Sequence, residues 1–161
     1  MNCVNIPIVH ITPMTPDNAI RYGTLVKCPQ SKPTTEGETY TFWSDIANYH
    51  IEGKTEIGLC TVSAPSGNLL SGVERHLYTP EILIPVDAPF ALPLLLEGDN
   101  DQSLKVFRVN VGEAVVIHEG VWHGACIPLD KSSATYFVIF KHKTPFEDVE
   151  KKSISNVAVR I

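Results

Sequence analysis

Short runs of alternating apolar and polar residues fill most of the chain between residues 40 and 141 and predict β-structure. β-Branched and aromatic residues are frequent in these runs, and Gly, Pro, Asp and Asn separate them. The predicted strands cover residues 40–43, 55–63, 73–76, 81–86, 90–95, 104–111, 114–118 and 135–141. Many strands with short connections predict an all-β barrel or sandwich.

The two ends of the chain carry weaker signals. Residues 6–8 predict a short strand, and Thr15 followed by Pro16 predicts the start of a short helix that ends near Gly23. Residues 29–38 are polar and predict an exposed loop. The turn 111–113 and the loop 98–102 are expected to join antiparallel neighbours, and the tail after residue 147 predicts a final strand or an edge packed on a partner chain.

Length and charge narrow the class of protein. A chain of 161 residues with 43% hydrophobic content predicts one domain over residues 1–161. The net charge of −5, without a dense Lys/Arg stripe, argues against nucleic acid as a partner. No stretch approaches the roughly 20 apolar residues of a membrane helix, and no signal peptide is expected.

The four cysteines also bear on the cellular compartment. Cys3, Cys28, Cys60 and Cys126 lie far apart and form no CxxC pair, so neither a zinc knuckle nor a redox motif is predicted. Reduced thiols in the cytoplasm fit this pattern best, with two remote disulfides as the alternative.

A first polar cluster precedes the apolar run of residues 82–86. Residues two apart on a strand share a face, so Glu74 and His76 should point together and Arg75 should point away. A buried carboxylate and imidazole need hydrogen bonds or a ligand, because desolvating a charge costs several kcal/mol. The alternative is a solvated pair on a surface strand.

A second cluster follows the predicted strand 114–118. The segment runs from Gly112 through His118 and Gly120 to His123, so that a tight turn can aim His123 back into a barrel. His118 alternates with Val116 and faces inward if Val116 does. Converging titratable groups predict a ligand pocket, whereas a lone packed histidine satisfied by a carbonyl is the alternative. Trp122 could close such a pocket against water.

The two clusters together resemble the paired motifs of cupin barrels. Glu74-x-His76 with Glu81 after four further residues resembles the first motif, with a carboxylate in place of its first histidine. Gly112, five residues, His118-x-Gly120, two residues and His123 resemble the second motif, with His118 in place of a proline. The resemblance implies a cupin-type double-stranded β-helix barrel with a short N-terminal helix.

The donors in these motifs also suit a metal. His76, Glu81 and His123, with or without Glu74, form a mixed nitrogen and oxygen set that fits a divalent ion such as zinc or manganese. A metal-free site is the equal alternative. Homodimers are expected, because cupin domains often bury exposed strand edges against a second copy.

The chain resembles the ureidoglycolate lyase family of purine-nitrogen catabolism and allantoin degradation over residues 6–150. The resemblance rests on Glu74-Arg75-His76, on Ile84-Pro85, and on the segment from Asn110 through Val121-Trp122-His123. It implies a carbon–nitrogen lyase that splits ureidoglycolate, or a related small ureido or amidino hydroxy acid, into glyoxylate and urea.

The family's reaction implies roles for the motif residues. Glu74 or His76 would act as the base, and His123, with His118 nearby, would donate a proton to the departing nitrogen. The substrate carboxylate needs a cation, for which Arg75 and Arg108 are equal candidates and Lys105 a third. The alternatives are a metal-dependent cupin isomerase or dioxygenase acting on another small carboxylate or sugar acid, or a non-catalytic cupin that binds a small metabolite.

Overall fold

The computed structural model describes residues 4–161, which form a closed β-barrel with two short helices. The elements in chain order are β1 (Ile8–Pro13), α1 (Pro16–Ala19), β2 (Gly23–Val26), β3 (Thr35–Glu36), β4 (Thr41–Phe42), β5 (Thr55–Ser63), β6 (Leu69–Arg75), β7 (Glu81–Pro85), β8 (Phe90–Leu95), β9 (Lys105–Val109), β10 (Ala114–Ile117), β11 (Trp122–His123), β12 (Ile127–Pro128), β13 (Ser133–Lys141), α2 (Thr144–Glu147) and β14 (Glu150–Arg160). This confirms the all-β barrel with a short N-terminal helix that the sequence predicts.

Two sheets build the barrel. The larger has the strand order β11-β6-β14-β1-β9-β8-β12, and it closes on itself because β11 also pairs with β8. The smaller has the order β2-β10-β7-β13-β5, and β3 and β4 form a separate two-stranded ribbon. β1 runs parallel to both of its neighbours, β14 and β9. Strands from the whole length of the chain therefore meet in one barrel.

The buried apolar residues form two cores. The first contains Leu92 and Leu94 of the larger sheet together with Leu83 and Val115 of the smaller sheet, so it fills the space between the sheets. The second comes from the larger sheet and the segments beside it, including Val73, Leu95, Val106 and Val159. Strand β8 contributes to both cores, which explains why all six of its residues are buried.

The N-terminal helix begins where the sequence predicts and ends earlier. The Thr15 hydroxyl accepts a hydrogen bond from the Asn18 backbone N–H, and the Asn18 side chain accepts one from the Thr15 N–H. The last helical residue is Ala19 rather than one near Gly23, because Gly23 already starts β2. A Cβ at Gly23 would lie 1.8 Å from the Val116 carbonyl oxygen, so only glycine allows this close strand pairing.

Other predicted elements are confirmed or corrected. The bounds of β5 and β8 match the prediction, and the loop 98–102 does join the antiparallel strands β8 and β9. The first strand is Ile8–Pro13 rather than 6–8. The turn 111–113 does not form a hairpin, because β9 and β10 belong to different sheets. The tail forms a long strand, β14, that lies between β6 and β1 instead of at an edge.

None of the helices within residues 4–161 has the length and apolar character required to cross a lipid bilayer.

Candidate active site

Three neighbouring strands of the larger sheet carry a row of polar side chains on one face. Glu74 on β6 pairs directly with His123 on β11 and with Lys151 on β14. Residues that are paired across strands have side chains on the same face of the sheet. His76 lies two residues beyond Glu74, just after the end of β6, and its ring centroid is 5.2 Å from that of His123. The row therefore places a carboxylate, two imidazoles and an ammonium side by side.

The opposite sheet contributes Glu81, the first residue of β7. Its Oε2 atom lies 2.9 Å from His123 Nε2 and 3.1 Å from His76 Nε2. All three side chains are buried, with 10% or less of each exposed. One carboxylate thus contacts both imidazoles and links the two sheets at the site.

Contact with the imidazoles keeps Glu81 ionised. Burial by itself raises the pKa of this carboxyl, but the two histidines outweigh that effect and hold the pKa well below its usual range. Within the described residues, neither Glu81 Oε2 nor His123 Nε2 has a partner at hydrogen-bonding angles. Buried polar atoms without such a partner are costly, which indicates that they face a ligand or ion.

His76 is held by contacts at both ring nitrogens. Its Nδ1 lies 2.7 Å from the Asp148 carbonyl oxygen, and its Nε2 faces Glu81. Burial by itself lowers the pKa of His76, but Glu81 and the Asp148 carbonyl together raise it above the ordinary value. The Asp148 carboxylate accepts the backbone N–H groups of Leu77 and Tyr78, each at 2.9 Å, and so fixes the loop after His76.

The polar row opens onto two pockets. The main pocket has a volume of about 850 Å³, and its lining includes Glu56, Glu74, His76, Glu81, Tyr136 and Lys151. The side pocket has a volume of about 490 Å³ and is lined in part by His123. The two pockets share Glu74 and Lys151, so these side chains lie where both spaces meet.

The donor set fits a divalent metal ion. The ligand atoms of Glu74, His76 and His123 lie within 4.8 Å of one another. Glu81 Oε2, at 2.9 and 3.1 Å from the two imidazole nitrogens, adjoins the same donor set. The unpaired Glu81 and His123 atoms support the same assignment. These residues therefore form a candidate metal centre.

Arg75 and Trp122, which the sequence suggested as substrate-binding residues, lie on the other face of the sheet. The Arg75 Nε donates to Glu150 at 2.7 Å, and the guanidinium also pairs with Glu97. The same guanidinium lies 4.4 Å from the Trp122 ring centroid, and the Trp122 indole N–H donates to Glu97 at 2.7 Å. Neither side chain lines the main or the side pocket. Strand alternation explains this placement, because Arg75 follows Glu74 and Trp122 precedes His123, and both Glu74 and His123 face the pockets.

Arg108 lies outside the two pockets, and His118 lines neither of them, although it borders a small cavity that His76, Glu81 and His123 also line. The Arg108 side chain donates to Asn110 at 2.9 Å and forms an ion pair with Asp130. His118 is exposed because β10 ends one residue earlier, at Ile117, and the chain then turns, with the Val121 N–H donating to the His118 carbonyl at 3.2 Å. The alternation that predicted an inward His118 does not extend past the end of the strand.

Several polar residues that line the main pocket carry no signal in the sequence, among them Glu56, Tyr136, Glu147 and Lys151. Lys151 is the basic one. It follows Glu150 in a charged segment that resembles an ordinary solvated surface. Only the pairing of β14 with β6 places it beside Glu74, and no local motif signals that pairing.

Comparison with known proteins gives the fold and the family of the chain. The barrel has a cupin-type fold. The sequence matches the family model described as Ureidoglycolate lyase over residues 6–160, so the chain belongs to the ureidoglycolate lyase family. A search of curated proteins finds no match.

Several solved structures are similar to this chain at low sequence identity. A dTDP sugar isomerase from Desulfovibrio desulfuricans G20 is 15% identical with a TM-score of 0.52, over 81% of this chain and 83% of that one. A cupin 2 domain-containing protein from Halorhodospira halophila is 14% identical with a TM-score of 0.44, over 81% and 80%. Peruvianin-I, a cysteine peptidase from Thevetia peruviana latex, is 14% identical with a TM-score of 0.46; the match covers 63% of this chain and only 56% of that longer one.

Proposed function

We propose that this protein is a carbon–nitrogen lyase that cleaves ureidoglycolate, or a related small ureido or amidino hydroxy acid, into glyoxylate and urea or its analogue. Membership of the ureidoglycolate lyase family supports the reaction class. The observation that carries the proposal is the convergence of Glu74, His76 and His123, whose polar atoms lie within 4.8 Å of one another beside a pocket.

The reaction needs two proton transfers at one carbon. A base removes the hydroxyl proton of the hemiaminal, the C–O bond becomes a carbonyl, and the electron pair of the C–N bond leaves with the nitrogen. The nitrogen then receives a proton, so ureidoglycolate yields one glyoxylate and one urea. A base and an acid on opposite sides of the reacting carbon are sufficient.

Glu74 is the base in this proposal and His123 is the acid. No hydrogen bond or ion pair to another described residue engages the Glu74 carboxylate, whereas both nitrogens of His76 already have partners. His123 also contacts Glu81 through Nε2, but among the described residues it has no second contact like that of His76 Nδ1 with the Asp148 carbonyl, so His123 is assigned as the acid. His76 and Glu81 orient His123 through the contacts described above.

A zinc or manganese ion would be held by His76, Glu81 and His123, with or without Glu74. Such an ion supplies polarisation of the substrate hydroxyl and lowers its pKa. A His123 nitrogen bound to a metal cannot also donate a proton, so metal content decides between these two uses. The test is elemental analysis of protein purified without added metal, followed by chelation, re-addition of zinc or manganese, and assay.

The test of the function is direct. Purified protein is incubated with racemic ureidoglycolate, and glyoxylate and urea are measured separately. We expect equal amounts of both products, and we expect His123→Ala to abolish turnover while the circular dichroism spectrum is kept. His50→Ala, at an exposed position, is the control and should retain activity. A ligand-induced rise in melting temperature without either product would instead indicate a non-catalytic binding protein.

We also propose that two copies of the chain pair through β5. This strand is nine residues long and lies at the edge of the smaller sheet, where β13 is its only partner within residues 4–161. On its outer face, Ile57 and Leu59 are 70% and 63% exposed, and Phe137 of β13 lies beside them at 41%. An unpaired apolar edge can be covered by the same edge of a second copy.

Sedimentation analysis across protein concentrations tests the dimer. The wild-type protein should sediment as a dimer, and Leu59→Glu should shift it to monomer. A monomeric wild-type protein at high concentration would contradict the pairing.

A further inference from the structure

The lining of the main pocket is acidic, which opposes the binding of a substrate that carries a carboxylate. Its lining includes four glutamates: Glu56, Glu74, Glu81 and Glu147. A small molecule with a carboxylate is repelled by such a lining, because like charges brought close together cost free energy. A cation must offset this repulsion wherever the substrate carboxylate lies.

Lys151 is the only lysine or arginine among the described residues that line the main pocket. The two arginines that the sequence suggested are engaged elsewhere, Arg75 with Glu97 and Glu150 and Arg108 with Asp130. The Lys151 ammonium has no hydrogen bond or ion pair with another side chain among residues 4–161. It is exposed and also lines the side pocket, so an entering molecule can reach it.

We propose that Lys151 binds the substrate carboxylate and thereby sets the orientation of the reacting carbon; this inference rests on the proposed lyase function. Lys151 pairs directly with Glu74 across β14 and β6, and the Cβ atoms of such pairs are about 4.5–5.5 Å apart. In ureidoglycolate the carboxylate is bonded to the carbon that carries both the hydroxyl and the nitrogen. A carboxylate held by Lys151 therefore keeps that carbon next to Glu74, with His123 on the other side of Glu74 in the same row.

The adjacent lysine provides a matched control. Lys152 follows in the same strand and borders the side pocket but not the main pocket. Alternation turns its side chain to the opposite face, where its Nζ lies 4.6 Å from the Trp122 ring centroid. Lys151→Met and Lys152→Met remove the same charge one residue apart. Only the first should change the binding of a carboxylate.

The experiment compares two substrates in both variants. Ureidoglycolate carries the carboxylate, and N-(hydroxymethyl)urea is the same hemiaminal without it and splits into formaldehyde and urea. We expect Lys151→Met to raise the KM for ureidoglycolate about 10- to 100-fold, the range for losing one hydrogen bond to a charged group, with kcat changed less. Turnover of N-(hydroxymethyl)urea should stay within about twofold. Lys151→Arg should restore most of the loss.

Product inhibition gives a second measurement that does not depend on turnover of N-(hydroxymethyl)urea. Glyoxylate keeps the carboxylate, so its inhibition constant should rise with KM in Lys151→Met and remain unchanged in Lys152→Met. Unchanged KM and inhibition constants in Lys151→Met would overturn the assignment, as would an equal loss on both substrates. Those results would not contradict the lyase function. The absence of glyoxylate release by the wild-type protein would instead reject the lyase function and this inference with it.

Discussion

The buried carboxylate of Glu81 provides a quantitative test of the site. Glu81→Gln keeps the size and shape of the side chain but removes the charge that both His76 and His123 contact. Removing one partner of a buried ion pair costs about 3–5 kcal/mol, because the groups that it contacted stay buried without that partner. In a protein of this size, each kcal/mol lowers the melting temperature by about 2–4 °C, so a fall of roughly 6–20 °C is expected.

Urea denaturation measures the loss of unfolding free energy and a thermal scan measures the fall in melting temperature, both by circular dichroism and with chelator present so that metal binding does not contribute. The slope of unfolding free energy with urea should be the same in both proteins, since a change of slope would report altered unfolded or folded compactness. Glu119→Gln, on the exposed turn after β10, is the control and should stay within about 0.5 kcal/mol of wild type. A Glu81→Gln protein as stable as wild type would refute the argument that the two imidazoles and this carboxylate stabilise one another.

Three further predictions follow from the placement of single residues. Arg75→Met should lower the melting temperature but leave the KM for ureidoglycolate within about twofold, because its ion pairs lie on the opposite face from the pocket; a large rise in KM would contradict this. His118→Ala should keep most of the turnover, since this side chain is exposed and only borders a small cavity beside the site; a large loss of urea release would show that it takes part in the reaction. Gly23→Ala should destabilise by about 1–3 kcal/mol in urea denaturation, because its Cβ would meet a carbonyl oxygen at 1.8 Å, whereas Gly58→Ala, with its nearest atom at 3.9 Å, should lose much less.

Much of the site could be predicted from local sequence, because strand geometry is local. The two-residue period places Glu74 and His76 on one face and Arg75 on the other, and the structure has this arrangement. The turn at Gly120, where φ is +78°, returns the chain to β11 and so brings His123 back to the sheet. The Thr15 cap likewise depends on residues only three apart.

The same local rule fails where a strand ends. The inward direction expected for His118 assumed that the strand continues through it, but β10 stops at Ile117. Neighbouring strands decide such an end point, since a strand continues only while it has partners for its backbone groups. The predicted hairpin at 111–113 fails for a related reason, because β9 and β10 find partners in different sheets.

The amino-acid sequence by itself determined the β-class of the fold, the short capped helix and the residue types that carry the chemistry. Tertiary structure alone decided which of these residues meet. Glu81 reaches the two histidines from the opposite sheet, and Lys151 reaches Glu74 through a strand pairing between distant parts of the chain. Local periodicity fixes the direction of a side chain relative to its own strand, whereas its neighbours depend on sheet order and register, which the packing of the whole barrel selects.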